Sequence, residues 1–132
     1  MLSRKQALQK AVYGRLVTHL GALSPAVAVY DHVADNAAMP FVEIGRWIDN
    51  AANTISDDIS ELTLTLTVWS AYEGQKEVLG ILDAISDALD DQILTTETGQ
   101  IVRIDRERDD TALDADGVSY TGTALYTILL QH

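Results

Sequence analysis

A strict alternation of apolar and polar residues runs from Leu62 to Trp69. Leu62, Leu64, Leu66 and Val68 fall on one side, and Thr63, Thr65, Thr67 and Trp69 on the other. That period of two marks a strand with one face in a core. After Ser70 the period changes. Val78, Leu82, Ile85 and Leu89 recur at helical spacing, and Leu79 and Ile81 broaden the stripe. Lys76, Glu77, Asp83, Ser86, Asp87 and Asp90 fill the opposite side. One strand therefore feeds one amphipathic helix, whose stripe must lie on a sheet. Ser70 and Glu73 have capping-box spacing, while Gly74 moves the expected helix start toward Gln75.

The same reading extends outward along the chain. Leu8, Val12, Leu16 and Leu20 step at i, i+4, so the N-terminal segment is expected to be a helix. Ser3 and Gln6 offer a capping box at its start, and Gly21 followed by Pro25 marks its end. Val27 to Tyr30 reads as a short strand, and Asp31-His32 opens a loop through Ala38. Phe41 to Gly45 reads as the second strand, with Trp47 and Ile48 as an extension. Asp49 to Ser60 is a polar connection whose only large apolar residues are Ile55 and Ile59; connections of such length in a compact domain usually carry function. Ile93 and Leu94 turn back toward the core, and Thr95 to Gln100 reads as a turn. Ile101, Val102 and Ile104 begin a strand whose later part, Asp105 to Asp110, is all charged. Asp114-Ala115-Asp116-Gly117 is a turn signature. The last strand, Val118 to Leu130, places Tyr120, Ala124, Tyr126, Ile128 and Leu130 on one face and Thr121, Thr123 and Thr127 on the other.

The order helix, strand, strand, strand, helix, strand, strand implies an α+β fold. The expectation is a mostly antiparallel sheet of about five strands with two helices packed on one face. All 132 residues are expected to form a single domain.

Composition narrows the function. The chain carries 20 acidic and 9 basic residues, a formal charge of −11. Gripping nucleic acid requires phosphate neutralisation by Lys and Arg, which this balance opposes; it suits solubility, or a wall that repels nucleic acid. Without cysteine, disulfides and Cys-based metal sites are excluded. Neither a secretion signal nor a membrane-spanning run is visible, so a soluble protein made in a cytoplasm is expected.

No catalytic constellation emerges. His19, His32 and His132 stand in unrelated contexts, and neither G-x-S-x-G nor a glycine-rich phosphate loop occurs. Two clusters invite a metal: Asp31, His32 and Asp35, and the group Asp109, Asp110, Asp114 and Asp116. The second lacks the spacing and the late bidentate Glu of a calcium loop, and turn chemistry explains both more simply. A small metal-dependent enzyme built on these aspartates is the alternative from a different functional class. Two other sets suit protein contacts. Thr63, Thr65, Thr67 and Trp69 form either a solvated sheet face or one that packs against another subunit. Arg103, Arg106 and Arg108 form either a solvated strand edge or intersubunit ion pairs.

Three stretches together resemble a known family. Val29-Tyr30-Asp31-His32-Val33 with Pro40-Phe41-Val42-Glu43-Ile44-Gly45 is one. Leu62 to Leu89, including Val68-Trp69-Ser70 and Gly74, is the second, and Asp114-Ala115-Asp116-Gly117 with the strand after it is the third. They resemble the tail terminator, or tail-completion, proteins of long-tailed phages, prophages and phage-like particles, with Ala115 where the family's closing turn has a proline. The resemblance covers nearly the whole chain. It implies a structural protein with no cofactor, a homo-oligomer forming a ring, commonly hexameric. Such a ring caps the head-proximal end of the tail tube and meets the tube protein on one side and the head connector or stopper on the other. DNA passes through the lumen, and no membrane is involved. The positions that carry over are Tyr30, Asp31, His32, Pro40, Trp69, Gly74 and Gly117, in structural or interface roles. Two connections, Asp49 to Ser60 and Asp105 to Gly117, are then candidates to reach neighbours along the axis or to line the lumen. They bring Asp49, Asp57, Asp58, Asp109, Asp110, Asp114 and Asp116. A tail tube subunit or a head–tail stopper is the nearest alternative within the same class.

Overall fold

A computed structural model describes residues 3–24, 26–50, 59–90 and 92–131. The first helix, α1 (Arg4–Gly21), begins with the expected capping box: the Gln6 backbone N–H donates to Ser3 Oγ, and the Ser3 N–H donates to Gln6 Oε1. Its buried stripe is Ala7, Leu8, Val12, Leu16 and Leu20, the i, i+4 positions that helical periodicity places on one face.

Three strands precede the second helix: β1 (Ala28–Tyr30), β2 (Phe41–Asp49) and β3 (Ile59–Ser70). The helix α2 (Lys76–Leu89) follows, and then β4 (Leu94–Thr95), β5 (Gln100–Leu113) and β6 (Tyr120–Gln131). The sheet order is β1-β2-β3-β6-β5-β4. β1 runs parallel to β2, and every other pair is antiparallel. The α+β class is therefore as expected, but the sheet is mixed and has six strands, not about five. The extra strand is the two-residue β4, which pairs Leu94 and Thr95 with Ile101 and Gln100. A two-residue strand has no period to read. The parallel pair requires the chain to return along β1 before entering β2. Such returns normally need a dozen or more residues; ten suffice here because β1 has only three.

β3 and β6 form the spine, paired over twelve positions from Ile59↔Gln131 to Ser70↔Tyr120. Leu62, Leu64, Leu66 and Val68 of β3 are buried toward the helices, as are Ala124, Tyr126, Ile128 and Leu130 of β6. They join Val42 and Ile44 of β2, Ile101 and Ile104 of β5 and the stripes of both helices in one core. Gly122 permits the close seating of α2. A Cβ there would lie 2.7 Å from Val78 Cγ1 and 3.1 Å from Leu82 Cδ1. A second device joins the helices. Arg15 of α1 donates from Nε to the Ala88 carbonyl (2.9 Å) and from Nη2 to Gln92 Oε1 (2.9 Å). A cation on the last-turn carbonyls satisfies an orphan acceptor and complements the helix dipole.

Two local expectations fail. Ser70 and Glu73 form no capping box: α2 begins at Lys76 after Gln75, and Gly74 turns the chain with φ 87°. Ser70 Oγ instead donates to Glu77 Oε1 (2.7 Å) and accepts from the Tyr72 N–H (3.1 Å). The charged stretch Asp105 to Asp110 continues the strand begun at Ile101, as read, and β5 runs on to Leu113, so the connection expected over Asp105 to Gly117 shrinks to the turn after Leu113. Most side chains of this outer half are exposed because it lies near the sheet edge.

Replacing Gly122 with Val should lower stability by about 1–3 kcal/mol, because the branched Val78 cannot yield without shifting α2. Urea unfolding followed by circular dichroism measures this. Arg15→Met should cost about 1–2 kcal/mol in the same assay through loss of the Ala88 bond.

Candidate assembly surfaces

The face of the sheet turned away from both helices follows from the strand registers. Across β2, β3, β6 and β5, one row reads Phe41, Trp69, Thr121, Ala112 and the next reads Glu43, Thr67, Thr123, Asp110. Thr65, Leu125 and Arg108 align in the third row, with Gly45 and Arg46 bulged beside Thr65. Ile48, Thr63, Thr127 and Asp105 follow, and then Glu61, Leu129 and Arg103. The centre of this face is uncharged and β-branched, while charges stand along its flanks. The bulge rests on a close approach: a Cβ on Gly45 would meet the Thr65 carbonyl oxygen at 3.1 Å.

The predicted threonines thus share the outer face with those of β6, and all are half-buried in the lone chain. Thr63 Oγ1 accepts from Asn50 Nδ2 (2.9 Å), and the Thr127 hydroxyl donates to Glu107. Trp69 sits differently from the threonines. It stacks on Phe41 with ring centroids 6.3 Å apart, and Tyr30 meets Phe41 edge-on at 5.6 Å. Val33, Ala34, Ala37 and Met39 of the loop 31–40 line a hollow with Phe41 and Trp69. The β1–β2 return therefore crosses this end of the outer face and partly covers it. Sequence reasoning missed this cover. Phe41 sits next to the core residue Val42, so its own side of the strand was not evident from the pattern.

The three predicted arginines do not form one set. Arg103 and Arg108 lie on the outer face, and Arg103 Nε contacts Asp105 Oδ2 at 2.5 Å. Arg106 lies on the helix side opposite Tyr126, where its guanidinium contacts Asp109 Oδ2 at 3.2 Å and its backbone N–H donates to Asp90 Oδ1 at 3.3 Å. Register shifts between Ile101 and Arg103 and between Arg106 and Arg108 break the simple alternation. Tyr126 beneath them is fully buried, and burial pushes its phenol up to about 12. The nearby Ser86 hydroxyl opposes that shift, yet no group among the described residues meets the Tyr126 hydroxyl with hydrogen-bond geometry.

The predicted acidic residues are also dispersed. Asp49 ends β2 on the helix side, 3.3 Å from Lys5 Nζ. Asp57 and Asp58 lie outside the described residues, as does Ile55. Asp109 is paired with Arg106, and Asp110 is on the outer face. Asp114 and Asp116 belong to the β5–β6 turn, at the opposite end of the sheet from Asp49. Asp116 builds that turn: its carboxylate accepts from the Val118 N–H, the Ser119 N–H and the Ser119 hydroxyl, each at 2.8 Å. These bonds, the Ser119 backbone first, hold its carboxyl below the usual carboxylate range. Gly117 supplies the left-handed residue at φ 73°. Among the described residues, no group of three or more His, Asp or Glu side chains is arranged to hold a metal, and no helix is long and apolar enough to cross a membrane. Asp31, His32 and Asp35 share an exposed loop.

A sheet with one face packed by helices and the other presented outward defines an α+β domain suited to assembly. Residues 10–131 match the model of the family described as tail completion protein gp17, and the chain belongs to that family. It is thus a structural protein of phage tails. A chain of the virion of a native gene transfer agent particle superposes on it with TM-score 0.82 at 20% identity, covering 100% of both chains. A second solved chain superposes with TM-score 0.68 at 14% identity, covering 100% of this chain and 98% of that one. No curated protein sequence matches it.

The depressed Asp116 carboxyl makes the stability of this turn depend on pH. Its stabilisation is present above the ordinary value of 3.8 and is lost as pH falls through the lower folded value. The stability gap between wild type and Asp116→Asn should therefore narrow as pH falls from above 3.8 through the lower folded value, and level off beneath it. Urea midpoints measured down the acid range check it.

Proposed function

We propose that this chain is the ring subunit that caps the head-proximal end of a tail tube, ends tube polymerisation and joins the tail to the head connector, with DNA passing through the lumen. The observation that carries the reading is membership of the tail-completion family over residues 10–131. The role is structural, without catalysis or cofactor. Partners are further copies of the chain in a hexameric ring, the tube protein and the head connector or stopper.

The outer sheet face is the surface we assign to contact between copies. Twelve paired residues in β3 and β6, at about 3.4 Å each, make it about 40 Å long. Four strands at about 4.8 Å spacing make it about 19 Å wide, so it offers roughly 750 Å². A standard interface buries about 800 Å² per partner. Thr65, Thr67, Thr123 and Leu125 provide the uncharged centre, and Arg108, Asp110, Arg103 and Glu61 the charged rim. That distribution is typical of protein interfaces, where charge is depleted at the core. The net charge of −11 suits a lumen through which DNA slides without adhering.

Light scattering during size-exclusion chromatography should give the mass of a hexamer, alone or on meeting tube ends. Thr65→Lys with Thr123→Lys buries two charges at the centre of the assigned interface, and should weaken association by at least about a hundredfold while leaving the monomer's unfolding midpoint within about 0.5 kcal/mol of wild type. A chain that stays monomeric with tube ends present contradicts the ring. Growth of open tubes from the isolated chain, seen by electron microscopy, identifies it as the tube subunit instead.

A further inference from the structure

One end of the sheet gathers three connections. Beyond the row Phe41, Trp69, Thr121, Ala112, β2 leads back into the loop 31–40, β3 leads on into residues 71–75, and β5 and β6 meet in the turn 114–119. Contacts tie these segments together. Thr111 Oγ1 bonds Gln75 Oε1 at 2.6 Å, and Pro40 and Tyr72 line a common hollow of about 440 Å³ with Leu23, Val27 and Ile81. The end is apolar where solvent reaches it: Tyr72 is 49% exposed, Leu113 53% and Val118 66%, and Met39, 38% exposed, stands on the outer-face side of the same end with Phe41 and Trp69. The core does not need these side chains, and four of them at one end is not scattered exposure.

The charge around them has one sign. Asp31, Asp35, Glu73, Asp114 and Asp116 stand on these segments, with Asp110 near the end of β5, against Lys76 as the basic residue at the start of α2. A second copy has few cations to offer such a frame: Lys76 already stands in it, Arg46 and Arg108 lie on the outer face, and Arg4 begins α1. Of the chain's nine basic residues, Lys5, Lys10 and Arg15 on α1 already engage Asp49, Glu97 and Ala88. Arg103 and Arg106 engage Asp105 and Asp109.

We propose that this end of the sheet docks a different protein of the particle, one that presents apolar side chains framed by lysine and arginine. The inference rests on the chain being a component of an assembled particle, and does not require that it cap a tube. The outer sheet face holds copies together, and this end holds what lies above or below them. Opposite charge in the frame speeds encounter, and the apolar centre supplies the holding contact.

Hydroxyl-radical labelling, read by mass spectrometry, compares the isolated protein with intact particles. Labelling of Met39, Tyr72 and Leu113 is expected to fall about tenfold in particles and to stay high in the isolated protein, whatever its oligomeric state. Val118→Asp, and separately Glu73→Lys, should reduce incorporation into particles by about tenfold. Both variants should keep the wild-type solution mass and melting temperature. Equal labelling in particles and free protein overturns the proposal. So does protection already present in a purified oligomer, which would make this end a contact between copies. A protein that stays monomeric even with tube ends present, yet is protected in particles, supports the docking surface and contradicts the ring.

Discussion

The twelve-position pairing of β3 with β6 constrains everything else in this molecule. In both strands the same face is apolar, with Leu62, Leu64, Leu66 and Val68 beside Ala124, Tyr126, Ile128 and Leu130, so that face must be covered. α2 covers it from directly after β3, and Gly122 gives it room to approach the sheet. α1 extends the cover toward β1, and Arg15 binds the two helices by taking the last-turn carbonyl of Ala88. Because side chains alternate across a strand, the same pairing produces the second face without further instruction. Thr63, Thr65, Thr67, Thr123 and Thr127 stand opposite the leucines, and neither helix reaches them.

That asymmetry connects the fold to assembly. A sheet covered on both faces would have only its edges to offer. Here the long edge of β5 is a poor site for strand addition. It is dense in charge, shifts register twice, and lends the Arg106 N–H to Asp90, the features by which edge strands avoid pairing. The broad outer face and the apolar end at Tyr72, Leu113 and Val118 are left as surfaces for other chains. Membership of the tail-completion family supplies the setting for such contacts.

Much of this was legible in the sequence where a period existed. The capping box of Ser3 and Gln6, most of both helix stripes and the alternation in β3 and β6 appear as read, whereas Leu79 (49% exposed) and Ile93 (65% exposed), both expected on the core side, face solvent. What was not legible had no period or depended on distant residues. β4 is too short to show alternation, and the outer half of β5 carries charge on both faces near the sheet edge, so its end at Leu113 was not evident. Ser70 was pulled from its expected capping role by Glu77, a partner one helical turn beyond Glu73. The arginines of β5 looked like one set, but the register shifts divide them between two faces. The turn chemistry read at Asp114 to Gly117 is present, with Asp116 as its keystone, while the pairing of Asp49 with Lys5 and of Asp109 with Arg106 depends on partners distant in sequence or divided by a register shift.

The central claim is that this chain ends the tube and joins it to the head. It is tested most directly by the length of tail tubes made in its absence, measured by electron microscopy on particles from cells lacking only this protein. The account predicts tubes of variable and excessive length, unattached to heads, with normal length and joining restored by the wild-type chain. Tubes of uniform length still joined to heads would contradict it.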